Sequence, residues 1–306
     1  MEQRLGTRDV VLLGIGHTHA HLVKQWAMHP IPDVNLICVT DYLTATYSGM
    51  LPGVLAGDYA PEHMELDLVK LLSAAKVQWV QDELESVNRT ASTLFFKSGR
   101  QIRYDLLSVG VGSRPQMVDL KSDETIPVIS IKPMQSFLQR MEAGVQQVQQ
   151  RRNARSKIRI DVVGGGLGSV EVVVCLRHFL RRCGWEPSDY RLRLISGSME
   201  PPVGCLPKTR ARIVRVFKDL EIELLPGAKL LAVDGDQLIL DNGQREASDL
   251  VVFLAAGHAS PVTELFDVPR DDRGCLLTNR RLESIQDPRI WAGGDCGSIQ
   301  GLHVPK

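Results

Sequence analysis

One local pattern constrains this chain more than any other. An apolar strand-like run, a glycine-rich turn and a helical pattern follow one another near residue 9, and the same succession returns near residue 159. In the first copy Val10-Val11-Leu12-Leu13 feeds Gly14-Ile15-Gly16-His17-Thr18-His19. In the second, residues 158–163 (IRIDVV) feed Gly164-Gly165-Gly166-Leu167-Gly168-Ser169. The runs at 10–13, 36–39, 158–163, 192–195 and 250–255 are rich in Val, Ile and Leu, and those at 10–13, 36–39 and 250–255 carry no charged residue. That is the composition of a parallel strand covered on both faces. The repeat predicts an α/β chain with two Rossmann-like nucleotide-binding units, and helices over 17–27 and 170–182. Short antiparallel elements are expected between and after them, with strands over 77–87 and 93–97 and a turn at Ser98-Gly99-Arg100, and over 224–241 with turns at Asp234-Gly235 and Asn242-Gly243.

The first loop has the spacing G-x-G-x-x, in which Gly14 permits a tight turn and Gly16 lets a pyrophosphate approach the backbone at the helix start. His19 occupies the place of a third glycine, which ordinarily lets helix and strand pack closely. Asp41 follows the second strand and suits a ribose hydroxyl acceptor. His17 and His19 stand two apart at a helix start with no third ligand nearby, so phosphate-side packing is expected there and no metal. In the second loop Gly164, Gly166 and Gly168 supply the turn, and Ser169 is small enough for close packing. Glu171 falls in the expected first helical turn, either facing a nicotinamide or serving as a charge favoured by the helix dipole. The strand after this loop ends in Ile195-Ser196-Gly197-Ser198 with no acid, which leaves NADH against NADPH open.

At 306 residues the chain has room for about two domains. Its 36 basic and 36 acidic residues cancel, which argues against a nucleic-acid partner. The six cysteines show no C-x-x-C spacing and predict neither a zinc site nor a disulfide scaffold, in keeping with a reducing cytoplasmic or organelle-soluble setting. The N-terminus does not read as a signal peptide, and no apolar run is long enough to span a bilayer. Peripheral membrane contact remains open. Residues 122–127 read as a hinge, and the basic run 151–157 as a solvated surface.

With both loops, the chain resembles the two-dinucleotide-binding flavoproteins, the superfamily of pyridine nucleotide-disulfide oxidoreductases and type II NADH dehydrogenases. Residues 105–115 (DLLSVGVGSRP) are similar to the family's crossing between domains, 250–257 (LVVFLAAG) to the return crossing, and 289–295 (RIWAGGD) to its second FAD motif. The resemblance implies an NAD(P)H domain at 126–246 inserted into an FAD domain at 1–125 and 247–306, each with a small antiparallel element. It implies FAD held by Gly14, Gly16, His17, His19, Asp41, Gly110, Gly112, Arg114, Gly257, Gly294 and Asp295. Gly164, Gly166, Gly168 and Ser169 would hold NADH or NADPH. Glu171 and Lys132 are the two side chains given a catalytic part, although Lys132 also reads as a solvated lysine at a helix start. Tyr47-Ser48-Gly49-Met50-Leu51-Pro52-Gly53 resembles the branch often fused to selenide, water dikinase, and implies flavin contact by Tyr47 and Ser48.

Disulfide reductases of the superfamily carry a C-x-x-x-x-C pair in that region. Here there is none, so electrons are expected to pass from FAD directly to a small-molecule acceptor such as a quinone. A sulfide:quinone-type reductase is the competing enzyme. It needs two cysteines beside the flavin, with Cys296 as one candidate and no clear second. A non-catalytic redox sensor is the competing binding protein. The chain stops at Lys306, short of the C-terminal part that relatives carry for dimerisation, membrane contact or acceptor binding, and a looser hold on FAD is the expectation. A homodimer stays open.

Overall fold

The computed structural model describes residues 7–115, 119–121, 126–151, 157–254 and 257–302. The chain divides into two compact units. One comprises residues 1–47, 65–114 and 258–306, the other 48–64 and 115–257.

The first unit is built on a five-stranded parallel sheet. In spatial order its strands are Ile290–Ala292, Leu106–Val109, Arg8–Leu13, Val34–Thr40 and Gln78–Gln81. Val11, Leu12, Cys38, Val39, Leu107 and Val109 are wholly buried, as the unbroken apolar runs require. The helix His17–Met28 packs Ala20 and Val23 into one face of this core. Residues 77–87 do not form one strand. Gln78–Gln81 joins the parallel sheet, and Leu84–Asn88 starts a separate antiparallel sheet with Thr93–Phe96 and Gln101–Arg103. The polar pair Asp82-Glu83 separates them, and Asp82 N–H donates to Thr40 O at 3.1 Å to close the parallel edge. Gly99 makes the expected turn with φ +82°.

The second unit repeats the plan, with parallel strands in the order Val128–Ser130, Leu250–Phe253, Ile158–Val163, Tyr190–Ser196 and Ile222–Pro226. Here too the expected antiparallel piece at 224–241 divides. Ile222–Pro226 ends the parallel sheet, while Leu230–Asp234 and Gln237–Leu240 pair antiparallel across Gly235, which has φ +63°. The helix Leu167–Arg182 begins earlier than its periodicity predicts and buries Val170, Val173, Leu176, Phe179 and Leu180. Within the segment 47–53, Ser48–Met50 forms a 3-10 turn and Leu51 begins a short helix that runs to Ala56. Pro52 suits the first turn of that helix, and Gly57 ends it at φ +89°. Leu51, Val54 and Leu55 join the same apolar core as Leu176 and Phe179. Most of the expected hinge, the centre of the basic run, residues 255–256 of the return crossing and the last four residues lie outside the described residues.

Candidate nucleotide-binding loops

Gly14 turns at φ +77°, a conformation L side chains rarely adopt. A Cβ there would stand 2.8 Å from Gly110 O. The loop is pinned from two strands, since Gly14 N–H donates to Val39 O and Gly110 N–H donates to Leu13 O, both at 2.8 Å. Gly16 caps the helix, and a Cβ on it would meet only Gly110 O, at 3.6 Å. The first N–H groups of the helix have no partner within it, and their partial positive charge suits an anion.

His19 lies behind this loop, 1% exposed. Nδ1 is 2.5 Å from Gly14 O and Nε2 is 2.8 Å from Ser108 Oγ. A carbonyl only accepts, so Nδ1 carries the proton and the Ser108 hydroxyl donates to Nε2. Burial lowers the His19 pKa, with the Gly14 carbonyl opposing. His19 therefore fills the helix–strand gap that a third glycine would close, and it braces the loop from within. His17 packs edge-on against Tyr47, with ring centroids 4.9 Å apart.

The C-terminal motif meets the same loop. A Cβ on Gly293 would sit 3.5 Å from Thr18 Cγ2, and one on Gly294, at φ +68°, would sit 3.8 Å from Thr18 Oγ1. Asp295 Oδ2 accepts from Ser113 Oγ at 2.9 Å across 182 residues of sequence. Gly112, at φ +70°, has nothing within 4 Å of its Cβ position. Asp41 ends the second strand, exposed, and the protein around it pushes its carboxyl above the ordinary range by desolvation while Arg114 draws it back. Residues 14–16, 41, 110–114 and 293–295 thus follow the C-terminal ends of four neighbouring parallel strands of the first unit's sheet.

In the second unit Gly164 has no room for a side chain. A Cβ there would collide with Ser169 and stand 3.1 Å from Leu254 O. Gly166 and Gly168 have nothing within 4 Å. The tight side faces the sheet and the open side faces outward, which is the shape of a backbone cradle for a diphosphate. Ser169 is buried as its small size predicts. Because the helix starts at Leu167, Glu171 lies beyond its first turn, exposed, where the helix dipole acts more weakly than the sequence suggests. Lys132 is half-buried just past the strand Val128–Ser130, and Gly257 opens the strand Gly257–Ala259.

A protein-family model described as pyridine nucleotide-disulphide oxidoreductase matches residues 8–304. The chain belongs to this family. It is also 24% identical over 223 residues to a type II NADH:quinone oxidoreductase of Haemophilus influenzae, a match spanning 65% of this chain and 50% of that protein. The chain therefore spans about half the length of that curated relative. Among solved structures, NDH2 from Plasmodium falciparum in complex with NADH superposes with a TM-score of 0.80 at 15% identity, covering 96% of this chain and 65% of that one. The sulfide:quinone oxidoreductase of the hyperthermophilic bacterium Aquifex aeolicus superposes with a TM-score of 0.78 at 17% identity, covering 96% and 69%. These likenesses establish the shared fold.

Sequence reasoning did not single out Ser108, Ser113 or Thr18. Ser113 stands inside a recognised motif, but its bond to Asp295 joins segments too distant in sequence for spacing to reveal. The six cysteines are free. Cys296 is fully buried, and its Sγ lies 3.3 Å from both Val109 O and Gly293 O. Burial pushes the Cys38 thiol up to about 12, and burial with the nearby Glu171 and Asp58 charges raises that of Cys175.

Proposed function

We propose that this chain is an FAD-dependent NAD(P)H oxidoreductase that passes electrons from a reduced nicotinamide through FAD to a small-molecule acceptor, a quinone in the leading case. The observation that carries this reading is the pair of glycine cradles, each at a strand–helix junction of its own sheet, the first completed by Asp295. FAD, when bound, would supply a hydride-accepting ring able to hand electrons on singly or in pairs. The chain's own contribution is binding and alignment. Gly14 and Gly16 would bring backbone N–H groups to the FAD pyrophosphate, Asp41 would accept from a ribose hydroxyl, and Asp295, fixed by Ser113, would accept from a flavin-side hydroxyl. Gly164, Gly166 and Gly168 would cradle the second dinucleotide, with Ser169 packing the helix against its strand. Residues 1–125 with 247–306 would form the flavin domain and 126–246 the nicotinamide domain, except that the segment 48–64 packs with the second unit. Glu171 and Lys132 remain the candidates for orienting the nicotinamide and contacting the flavin.

No dithiol relay enters this reading, because segment 47–53 has no cysteine and Cys296 is sealed behind the first loop. That burial also counts against the sulfide:quinone alternative, which needs an accessible thiol beside the flavin. A quinone acceptor would bring the chain to a membrane surface. No helix among the described residues is long and apolar enough to cross one.

Mixing FAD-loaded protein anaerobically with NADH or NADPH in a stopped-flow instrument tests the proposal. Bleaching of the flavin absorbance, followed by recovery when a short-chain quinone is added, is the expected result. Flavin that neither nucleotide reduces would leave a binding protein rather than an enzyme.

A further inference from the structure

The two glycine units differ at one chemically decisive place. In a Rossmann unit the end of the second strand lies beside the adenosine ribose, where an acid accepts from the 2′-hydroxyl of NADH and a cation accommodates the 2′-phosphate of NADPH. The first unit has Asp41 directly after its second strand, Val34–Thr40. In the second unit the equivalent strand, Tyr190–Ser196, runs into Gly197-Ser198-Met199.

Within the second unit, Ser196 and Ser198 stand against the glycine loop. A Cβ on Gly165 would lie 3.0 Å from Ser196 Oγ and 4.0 Å from Ser198 Cβ. The Lys229 side chain lies across the bare face of Gly197. A Cβ there would meet Lys229 Cγ at 2.6 Å, Cε at 3.2 Å and Cδ at 3.4 Å. The lysine stem therefore runs along the strand end, with the ammonium group one bond beyond Cε, on an exposed residue. Its backbone is anchored, because Ala228 N–H donates to Ser196 O and Lys229 N–H donates to Asp241 Oδ1, both at 2.9 Å. Glu200 pairs with Arg210 at 2.7 Å, and Asp241 receives the Lys229 N–H.

From this placement we infer that Lys229, lying over Gly197 at the strand end, forms a subsite for the 2′-phosphate, and that the donor for this chain is NADPH in preference to NADH. The inference rests on the proposed nicotinamide site and adds its selectivity. Lysine recognises phosphate as a compact point charge and needs no bidentate geometry. The absence of an acid at the strand end removes the repulsion by which NADH-selective sites reject the extra phosphate.

The test is calorimetric titration of the FAD-loaded full chain with adenosine 2′,5′-bisphosphate and, separately, with AMP. One charge-assisted hydrogen bond to phosphate corresponds to a preference of roughly 10- to 100-fold for the bisphosphate. Lys229→Ala should collapse that ratio towards one, and Lys229→Arg should keep most of it. Equal affinity for the two ligands in the wild type, or a preference that survives Lys229→Ala, overturns the subsite while leaving the nicotinamide reading intact. Failure of both ligands to bind overturns the nicotinamide site and the subsite with it.

Discussion

His19 shows how one residue converts an imperfect motif into a working loop. A third glycine would close the helix–strand gap by being small. His19 closes it by filling the gap and by hydrogen-bonding Gly14 O and Ser108 Oγ. The cost is a buried imidazole that the fold holds neutral, with its pKa lowered by burial. The unfolded chain takes up this proton at about pH 6.5 and the folded chain only at lower pH. The contribution of neutral His19 is therefore fully present above about pH 6.5 and is lost as pH falls from there through the folded-state pKa. Denaturant midpoints measured between about pH 7.5 and 5.5 should decline in the wild type. His19→Gln, which cannot titrate, should show a flatter decline, and parallel curves would remove His19 as the cause. Gly14 carries a different constraint, since its φ of +77° and its closeness to Gly110 O both exclude a side chain. Gly14→Ala is expected to cost about 1–3 kcal/mol and to purify with well under half the wild-type flavin per chain, read from the visible absorbance. Full flavin content in that variant would mean that the turn tolerates a Cβ and the loop is not a close cradle.

Between elements, the informative contacts are those that tie the short helix Leu51–Ala56 and the two sheets of the second unit into place. Arg182, at the end of the glycine-loop helix, donates from Nη1 to Leu55 O at 3.0 Å and from Nη2 to Val54 O at 3.1 Å. It thereby satisfies carbonyls that a helix of six residues leaves exposed at its C-terminus. Arg182→Ala should destabilise the chain by about 1.5–3 kcal/mol. Amide exchange should quicken in residues 51–57, and unchanged exchange there would show that apolar packing alone docks the helix. A second tie runs through Arg193, which pairs in register with the buried Asp161 on the adjacent strand at 2.6 Å and reaches Glu246 of the small antiparallel sheet at 2.6 Å. Those two carboxylates hold Arg193 charged. Arg193→Met should cost about 3–5 kcal/mol by stranding Asp161, and pairing it with Asp161→Leu should recover a large part of that loss in the same urea titration. Strands such as Val34–Thr40 and Leu250–Phe253 were legible in the sequence because burial on both faces leaves a run dominated by apolar residues. The glycine turns were legible because positive φ restricts the residue type. What escaped were features set by tertiary contact. The split of 77–87 depends on which sheet edge accepts each half, and the helix at 51–56 is held by Arg182 far along the chain. Of the candidate site, the glycines and Asp295 stood out as motif residues, whereas Ser113, Ser108 and Lys229 act through neighbours that only the folded chain supplies.

For the molecule as a whole, the internal repeat makes the two proposed nucleotide sites separable. The first cradle draws its loop, its crossing-strand glycines and Asp295 from residues 1–47, 65–114 and 258–306, and the second draws Gly164, Gly166, Ser169 and the strand end from residues 115–257. The two sets share no residue, so damage to one should leave the other's binding free energy close to unchanged, as expected for substitutions without common partners. Asp295→Ala deletes the acceptor that Ser113 fixes, and it should lower flavin retention while adenine-nucleotide binding in the calorimeter stays within about twofold of wild type. Gly164→Val places bulk against Ser169 and Leu254 O, and it should abolish nucleotide binding in a protein that still purifies yellow. A combined variant should show both losses added together. The decisive result is the cross term. If Asp295→Ala also removed nucleotide binding in a protein whose circular dichroism is native, the sites would be one coupled centre, and two independent cradles would no longer account for the repeat.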